Sequence, residues 1–264
     1  MKVVILCGGL GTRLREETEY RPKPMVEIGG KPILWHIMKI YAYYGFKDFI
    51  LCLGYKGEMI KEYFYNYEVL NNDFTIELGN RGRQIEIHNS RSEKGWRITL
   101  ADTGDKALKG ARLKRVEKYI DGNQFMVTYG DGVADIDIND LLKFHRSHGK
   151  LGTLTGVRPL SRFGELTIES RLVMRFTEKP QTGAGLINGG FFVFNRGIFD
   201  FLEDKDNCDL EYGVLEEIAS KRELAVYEND KFWFCMDTIR DMEYLNKLCK
   251  EDKVPWKVWE TRNG

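Results

Sequence analysis

The sequence predicts an α/β fold, with a mostly parallel central sheet flanked by helices and a small β-rich insertion. Three observations predict it. Continuous apolar runs from Val3 to Cys7, Phe49 to Leu53 and Phe125 to Tyr129 end abruptly in glycine, as strands buried on both faces do. Helical periodicity separates the first two runs, and strand–helix–strand order implies parallel pairing through right-handed crossovers. Between residues 72 and 100 the pattern changes to alternation of apolar and polar residues, the mark of half-exposed strands.

Each element follows in order. Residues 31–44 read as a helix: Pro32 stands near the start, and Ile33, Leu34, Ile37, Met38, Ile40, Tyr41 and Tyr44 recur at helical spacing. Gly45 stops it. A second helix is expected over 57–66. Phe74 to Leu78, Gln84 to His88 and Arg97 to Leu100 then read as half-exposed antiparallel strands, with a polar loop from Asn80 to Arg83. Residues 105–119 read as a helix, and Gly130-Asp131-Gly132 ends the strand that follows. A helix over 138–148 and a strand from Thr153 to Val157 come next. The second half is richer in strands: Leu166 to Glu169, Val173 to Phe176, Gly190 to Phe194, Leu224 to Tyr227 and Phe232 to Met236. Helices are expected over 213–221 and, as a closing amphipathic element, over 238–250. There is no repeat, low-complexity segment or linker, so the expectation is one domain over 1–264. In it, 72–100 forms the insertion and 160–264 a half packed against the sheet.

Composition narrows the function. The 264 residues carry 40 basic and 40 acidic side chains, and a chain of this size buries enough surface to fold without disulfides or structural metal. Zero net charge gives no reason to expect a nucleic-acid partner. The five cysteines, Cys7, Cys52, Cys208, Cys235 and Cys249, form no C-x-x-C pair and read as reduced, buried small side chains. His145 and His148 could share a helix face, where a surface role fits better than a zinc site. There is no signal peptide and no apolar run long enough to span a bilayer, so a cytoplasmic protein without a membrane partner is expected.

The chemistry begins at the first glycines. Gly8-Gly9-Leu10-Gly11-Thr12-Arg13 follows the first strand, and Lys23 lies ten residues beyond Arg13. Glycine lets backbone N–H groups approach an anion closely, and Arg13 and Lys23 supply the charge a polyphosphate needs. The loop lacks the Gly-Lys-Ser/Thr of a P-loop. It also lacks a dinucleotide fingerprint, because Leu14 takes the place of the third glycine and Leu53-Gly54 the place of the acid. That argues against a nicotinamide-dependent oxidoreductase. Pro22 and Pro24 brace Lys23. Asp131 should share the carboxyl edge of the sheet with the glycine loop. Asp237 ends a later strand; beside a phosphate, two such carboxylates suit one Mg²⁺. Either aspartate alone reads equally as a helix N-cap, most plainly Asp237 with Thr238 before a helix. Glu178-Lys179-Pro180 and Asn188-Gly189-Gly190 follow or precede strands and could reach the same ligand.

Taken together, these residues resemble the sugar-phosphate nucleotidyltransferase family. The resemblance rests on Gly8-Gly-x-Gly-Thr-Arg13, Lys23-Pro-Met-Val-x-Ile-x-Gly-Lys-Pro32, Tyr129-Gly-Asp-Gly132, Phe176-x-Glu-Lys-Pro180, Asn188-Gly-Gly190 and Met236-Asp-Thr238, in order across almost the whole chain. The longer stretches Pro22 to Met38 and Tyr129 to Asp135, with Asp102-Thr-Gly-Asp105, Gly110-x-Arg-Leu-Lys-Arg115 and Pro255-Trp-Lys-x-Trp259, are similar to the branch that joins CTP to glucose 1-phosphate.

The resemblance implies a Rossmann-like nucleotidyltransferase fold, Mg²⁺ as cofactor, CTP and glucose 1-phosphate as substrates, and a homo-oligomer. The product, CDP-glucose, would feed deoxysugar synthesis for cell-surface polysaccharide such as the lipopolysaccharide O-antigen. The same chemistry with UTP or dTTP, and a non-catalytic nucleotide-sugar sensor, are the alternatives. Carried over by residue, Arg13, Lys23 and Asp131 are catalytic, and Asp131 and Asp237 hold the metal. Leu6, Cys7, Gly8, Gly9, Gly11, Thr12, Arg13, Lys23 and Gly130 line the nucleotide, with Thr103, Gly104 and Arg112 on the same side. Tyr129, Glu178, Lys179, Asn188 and Gly189 face the sugar phosphate, making 160–264 the sugar-binding half. Residues 206–212 lack the Trp-Glu pair associated with this region, and Glu211 is an acid that remains there.

Overall fold

The computed structural model describes residues 1–79, 84–88, 93–159, 165–169, 172–177 and 185–261, with backbone alone for 165–169, 175–177 and 261. Strand β1 (Lys2–Leu6) is buried at every position and leads into the glycine loop. After a short helix α1 (Arg15–Thr18), a two-stranded ribbon of β2 (Glu27–Ile28) and β3 (Lys31–Pro32) enters helix α2 (Ile33–Tyr43), with Pro32 at its N-cap. Next come β4 (Asp48–Leu53), α3 (Gly57–Tyr65) and α4 (Tyr67–Asn71), then β5 (Asp73–Glu77), β6 (Gln84–His88) and β7 (Arg97–Asp102). Helix α5 (Lys109–Arg115), β8 (Gln124–Tyr129), β9 (Gly132–Ala134), α6 (Ile138–His148) and β10 (Gly152–Val157) complete the first half. The second half holds β11 (Glu165–Glu169), β12 (Leu172–Thr177), β13 (Ile187–Asn195), α7 (Val214–Ser220), β14 (Leu224–Asn229), β15 (Trp233–Cys235), α8 (Ile239–Lys250) and α9 (Val258–Thr261).

The central sheet has seven strands in the order β14-β10-β13-β8-β1-β4-β7. All neighbours are parallel except β13, which is antiparallel to both β8 and β10. Strand period two sends alternate residues to opposite faces. Val3 and Ile5 therefore pack with Ile33, Ile37 and Tyr41 of α2 on one side. Val4 and Leu6 pack with Leu113 of α5 and Leu215 and Ile218 of α7 on the other. Each such side chain contributes roughly 1.5–3 kcal/mol of burial.

The structure corrects the reading of residues 72–100. The first two alternating runs do pair as an antiparallel hairpin, Phe74 opposite Ile87 and Ile76 opposite Ile85. The third, β7, instead runs parallel to β4 at the edge of the central sheet, Phe49 opposite Ile98. Ile98 to Leu100 are only half-buried, and a strand whose faces are not both covered loses the unbroken apolar run of a central parallel strand. Helix α5 is also shorter than the 105–119 expected: Leu108 N–H turns away to Asp206 O at 2.8 Å, and a 3₁₀ turn over Glu117–Tyr119 follows the helix. His145 is buried, against the surface role expected, with Nδ1 2.8 Å from Thr153 Oγ1. All five cysteines are free; Cys7 and Cys52 are buried and the other three partly exposed.

The C-terminal segment closes onto α2 through a buried polar pair. His36 Nε2 lies 2.8 Å from Ile28 O, and Trp256 Nε1 lies 3.2 Å from His36 Nδ1. The indole can only donate, so Nδ1 accepts and Nε2–H donates, which fixes a neutral ring. Burial pushes the His36 pKa down to about 4. The unfolded chain binds a proton near the ordinary pKa of about 6.5 while the folded one does not, so stability is full above that value and falls as pH drops towards 4. Between pH 7 and pH 5 this group removes roughly 2 kcal/mol. Urea midpoints at the two pH values check it, and His36→Gln shrinks the difference.

Candidate active site

The glycine loop leaves β1 at the carboxyl edge of the sheet. Cys7 N–H donates to Cys52 O at 3.0 Å, and beyond it the chain is free of the ladder. Gly11 adopts φ +64°, and a Cβ there would meet Thr18 Cγ2 at 2.6 Å; both facts require glycine. At Gly8 a Cβ would stand 2.1 Å from the Arg112 guanidinium. Gly8→Ala therefore pushes the loop off its support and raises the nucleotide KM about tenfold, a transition-state loss near 1.4 kcal/mol. Steady-state kinetics on Gly8→Ala beside Gly9→Ala, whose Cβ meets nothing within 4 Å, check the contrast.

Arg112 is a strut under this loop. It is 3% exposed. Nη1 donates to Gly104 O, Thr103 Oγ1 and Leu53 O at 2.7, 2.9 and 3.0 Å. Nη2 donates to Gly8 O at 2.9 Å and Asp105 O at 3.3 Å. Thr103 Oγ1 donates in turn to Leu53 O. Of the three residues assigned to the nucleotide side, Arg112 reaches the cavity wall, and Thr103 and Gly104 stand behind it as its acceptors.

Lys23 lies on a 3₁₀ turn, Lys23–Met25, entered through Pro22 and carrying Pro24. Its side chain is 10% exposed, and Nζ donates to Asp131 Oδ2 and Asp237 Oδ1, each at 2.7 Å. Arg13, on the solvent side, donates Nη1 to Asp237 Oδ2 at 2.6 Å. Asp131 follows Gly130 at the end of β8; a Cβ at Gly130 would meet Leu6 O at 2.9 Å. Asp237 reaches the same point through an antiparallel ribbon the sequence reading did not foresee. There β15 pairs with β9, Cys235 opposite Gly132, and Met236 N–H donates to Asp131 O at 2.9 Å. The cap of α8 is Thr238, which forms a capping box with Asp241, so the Asp237 carboxylate is left to the two cations.

Burial alone lowers the Lys23 pKa, but the Asp131 charge and the hydrogen bonds to both carboxylates outweigh it and hold the ammonium above its ordinary range. Burial likewise raises the Asp237 carboxyl, and Lys23 and Arg13 outweigh it, leaving it below its ordinary range. A raised lysine is charged below its ordinary pKa and a lowered carboxyl above its own, so the pair is intact across the neutral range.

These groups line a cavity of about 460 Å³. Leu6, Cys7, Gly8, Gly9, Gly11 and Thr12 form one wall, with Arg13, Lys23, Gly130, Asp131 and Asp237 at its base. Tyr129 and Asn188 stand opposite, joined by an Asn188 Nδ2–H bond to Tyr129 Oη at 3.0 Å. Gly189 sits behind them, its carbonyl accepting from Trp233 Nε1 at 2.7 Å. Glu178 and Lys179 lie outside the described residues. Sequence reasoning missed Lys109, Trp233 and Cys235 in the lining. Lys109 Nζ sits 4.8 Å over the Tyr129 ring and pairs with Glu211, which also accepts from Tyr129 Oη at 2.5 Å. Glu211, from a distant segment, thereby stands behind Lys109 and Tyr129 of the cavity wall.

The donor set fits Mg²⁺. Asp131 and Asp237 offer hard carboxylate oxygens in one cluster, and Mg²⁺ takes few protein carboxylates and completes its shell with phosphate and water. Burial pushes the Cys235 thiol up, which keeps it from competing as an anion for that ion.

The family model described as "Nucleotidyl transferase" matches residues 2–247. Glucose-1-phosphate cytidylyltransferase of Salmonella typhi is 52% identical over 261 residues, covering 98% of this chain and 100% of that protein. The protein of the same name from Salmonella typhimurium is also 52% identical over the same coverage. Among solved structures, HddC from Yersinia pseudotuberculosis complexed with GMP-PN superposes with a TM-score of 0.66 over 93% of this chain and 98% of that one, at 23% identity. Among the described residues, no helix is long and apolar enough to cross a membrane. With the glycine loop, the braced lysine and the paired carboxylates where the motifs required them, the chain belongs to the nucleotidyl transferase family.

Proposed function

We propose that this chain transfers the cytidylyl group of CTP to α-D-glucose 1-phosphate, giving CDP-glucose and pyrophosphate. One observation carries the chemistry: a buried lysine bridges two carboxylates at the base of a glycine-walled cavity. The choice of base and sugar is supported by the name of relatives 52% identical over nearly the whole length.

Both reactants are anions, and a sugar phosphate is already an oxyanion, so no general base is needed. Positioning and charge neutralisation are the task. The amides of Gly8, Gly9 and Gly11 face the triphosphate, and Arg13, on the solvent side of the cavity with its side chain 70% exposed, meets its outer phosphates. An ammonium has three donors; carboxylates take two of Lys23's, and the third points charge at the phosphoryl group under attack. Asp131 and Asp237 would hold Mg²⁺, which neutralises charge on the transferring phosphoryl group when bound. Arg112 acts through Gly8 as a positioning residue. Tyr129, Asn188 and Gly189, with Glu178 and Lys179, orient the sugar phosphate so that its oxygen attacks in line with departing pyrophosphate.

The reading extends to a cytoplasmic homo-oligomer serving cell-surface polysaccharide synthesis. Phe74, Ile76 and Ile85, each 36–40% exposed on one face of the β5–β6 hairpin, support self-association, which sedimentation of the native protein measures. The reaction is tested by pyrophosphate release from each NTP with glucose 1-phosphate and Mg²⁺. CTP is expected to give the highest kcat/KM. A preference for UTP or dTTP overturns the base assignment, and tight nucleotide binding without turnover leaves a nucleotide-sugar sensor.

A further inference from the structure

The wall opposite the glycine loop carries a cation that the sequence motifs leave out. Lys109 is the first residue of α5 and lines the cavity with its side chain 45% exposed. The segment that precedes α7 is docked onto this helix start. Leu108 N–H donates to Asp206 O at 2.8 Å, and Ala111 N–H donates to Cys208 O at 3.0 Å. Gly110 permits the approach, since a Cβ there would stand 2.9 Å from Cys208 O. The docking brings the Glu211 carboxylate onto Lys109 Nζ.

The rest of this wall is fixed. Lys109 Nζ lies 4.8 Å from the Tyr129 ring centre, the Tyr129 hydroxyl donates to Glu211 at 2.5 Å, and Asn188 Nδ2–H donates to Tyr129 Oη at 3.0 Å. Gly190 packs under the Tyr129 ring, which a Cβ there would meet at 2.6 Å. Among the described residues, Lys109 and Tyr129 are the side-chain donors to Glu211 Oε1, and Oε2 is buried without a partner. An ammonium has three donors, and Glu211 takes one. The wall therefore offers N–H donors from an ion pair with no net charge. A phosphate suits it poorly, because the carboxylate behind Lys109 opposes an anion. The cations that suit phosphate, Arg13 and Lys23, stand beside the glycine loop. A neutral hydroxyl fits: its oxygen accepts a charge-assisted N–H bond and brings no charge to be opposed.

We propose that Lys109 is a specificity-determining residue, whose ammonium, held by Glu211, donates a hydrogen bond to one hydroxyl of the hexose 1-phosphate. Glu211 acts through Lys109 as a positioning residue. The inference rests on the sugar phosphate of the function proposed above, but neither on the choice of base nor on transfer taking place.

Binding of glucose 1-phosphate to the full chain is measured by calorimetry, with Mg²⁺ and a CTP analogue present whose α–β bridging oxygen is a methylene, so that no transfer intervenes. Lys109→Met raises the Kd about 10–100-fold, the worth of a hydrogen bond to a charged group. The monodeoxy forms of glucose 1-phosphate, one for each sugar hydroxyl, complete a double-mutant cycle. The form lacking the hydroxyl that Lys109 touches binds the unmodified chain weakly and loses no more than about twofold again in Lys109→Met. The other forms lose the full factor. Glu211→Gln gives the same pattern with a smaller factor, and circular dichroism of each variant confirms folding. An equal loss for every deoxy form assigns Lys109 to the phosphate or to packing and overturns the proposal. So does an unchanged Kd in Lys109→Met, or a native chain that does not bind glucose 1-phosphate. Pyrophosphate release by the unmodified chain separates the two readings: turnover with an unchanged Kd in Lys109→Met removes this role alone, and the deoxy pattern without turnover removes the transferase reading alone.

Discussion

Replacing Lys23 by alanine lowers kcat by roughly 10²–10³, the loss expected for one preorganised charge donor aimed at a developing transition state. The effect falls on kcat because the ammonium is held by Asp131 and Asp237 and needs no reorganisation when charge moves. The variant also removes the cation that the two carboxylates share, leaving Asp237 with Arg13 as its cation. The Asp237 carboxyl, held low largely by Lys23, then moves up, and the acid limb of the pH–rate profile moves up with it. Stability falls by about 1–3 kcal/mol, less than for a fully buried pair, because the Asp131 side chain is 26% exposed. Steady-state pyrophosphate release across pH measures the first two effects and urea unfolding the third. Unchanged turnover in a folded Lys23→Ala protein takes Lys23 out of the mechanism.

Arg112→Met destabilises the chain by about 3 kcal/mol and raises the nucleotide KM about tenfold, with a smaller effect on kcat. Methionine fills much of the space but takes this donor from the carbonyls of Gly8, Gly104 and Asp105, while Leu53 O keeps the Thr103 N–H and hydroxyl. Buried acceptors left unsatisfied cost about 1–3 kcal/mol each, reduced where water reaches them. The KM effect follows because this guanidinium donates to Gly8 O at 2.9 Å and packs directly against Gly8. Arg112→Lys does not rescue it, since a single ammonium cannot span acceptors that a planar fork reaches together. A folded Arg112→Met protein with the native nucleotide KM would falsify the strut role.

How much of this was legible in the sequence depended on how locally each constraint acts. Strands β1, β4 and β8 and helix α2 could be read directly, because burial on both sheet faces writes an unbroken apolar run and burial of one helical face writes a 3.6 period. The glycine loop was legible because a missing Cβ is a residue identity. Strand β7 was not, since a half-buried parallel strand and an exposed ribbon share one broken apolar pattern. The length of α5 depended on Leu108 bonding to Asp206, ninety-eight positions away, which no local pattern records. Lys109 and Cys235 carried no signal of their own: one became part of the site by lying over Tyr129, the other by the register of a three-residue strand.

The sequence by itself determined the sheet, the phosphate-facing loop and the charged side chains available to it, because propensity, periodicity and absent Cβ atoms are properties of neighbouring residues. Only the tertiary structure decided that Lys23 would sit between carboxylates 108 and 214 residues away. That outcome rests on the parallel register of β1 and β8 and on the antiparallel pairing of β9 with β15. Backbone hydrogen bonds set both, and they place side chains in space without regard to their separation along the chain.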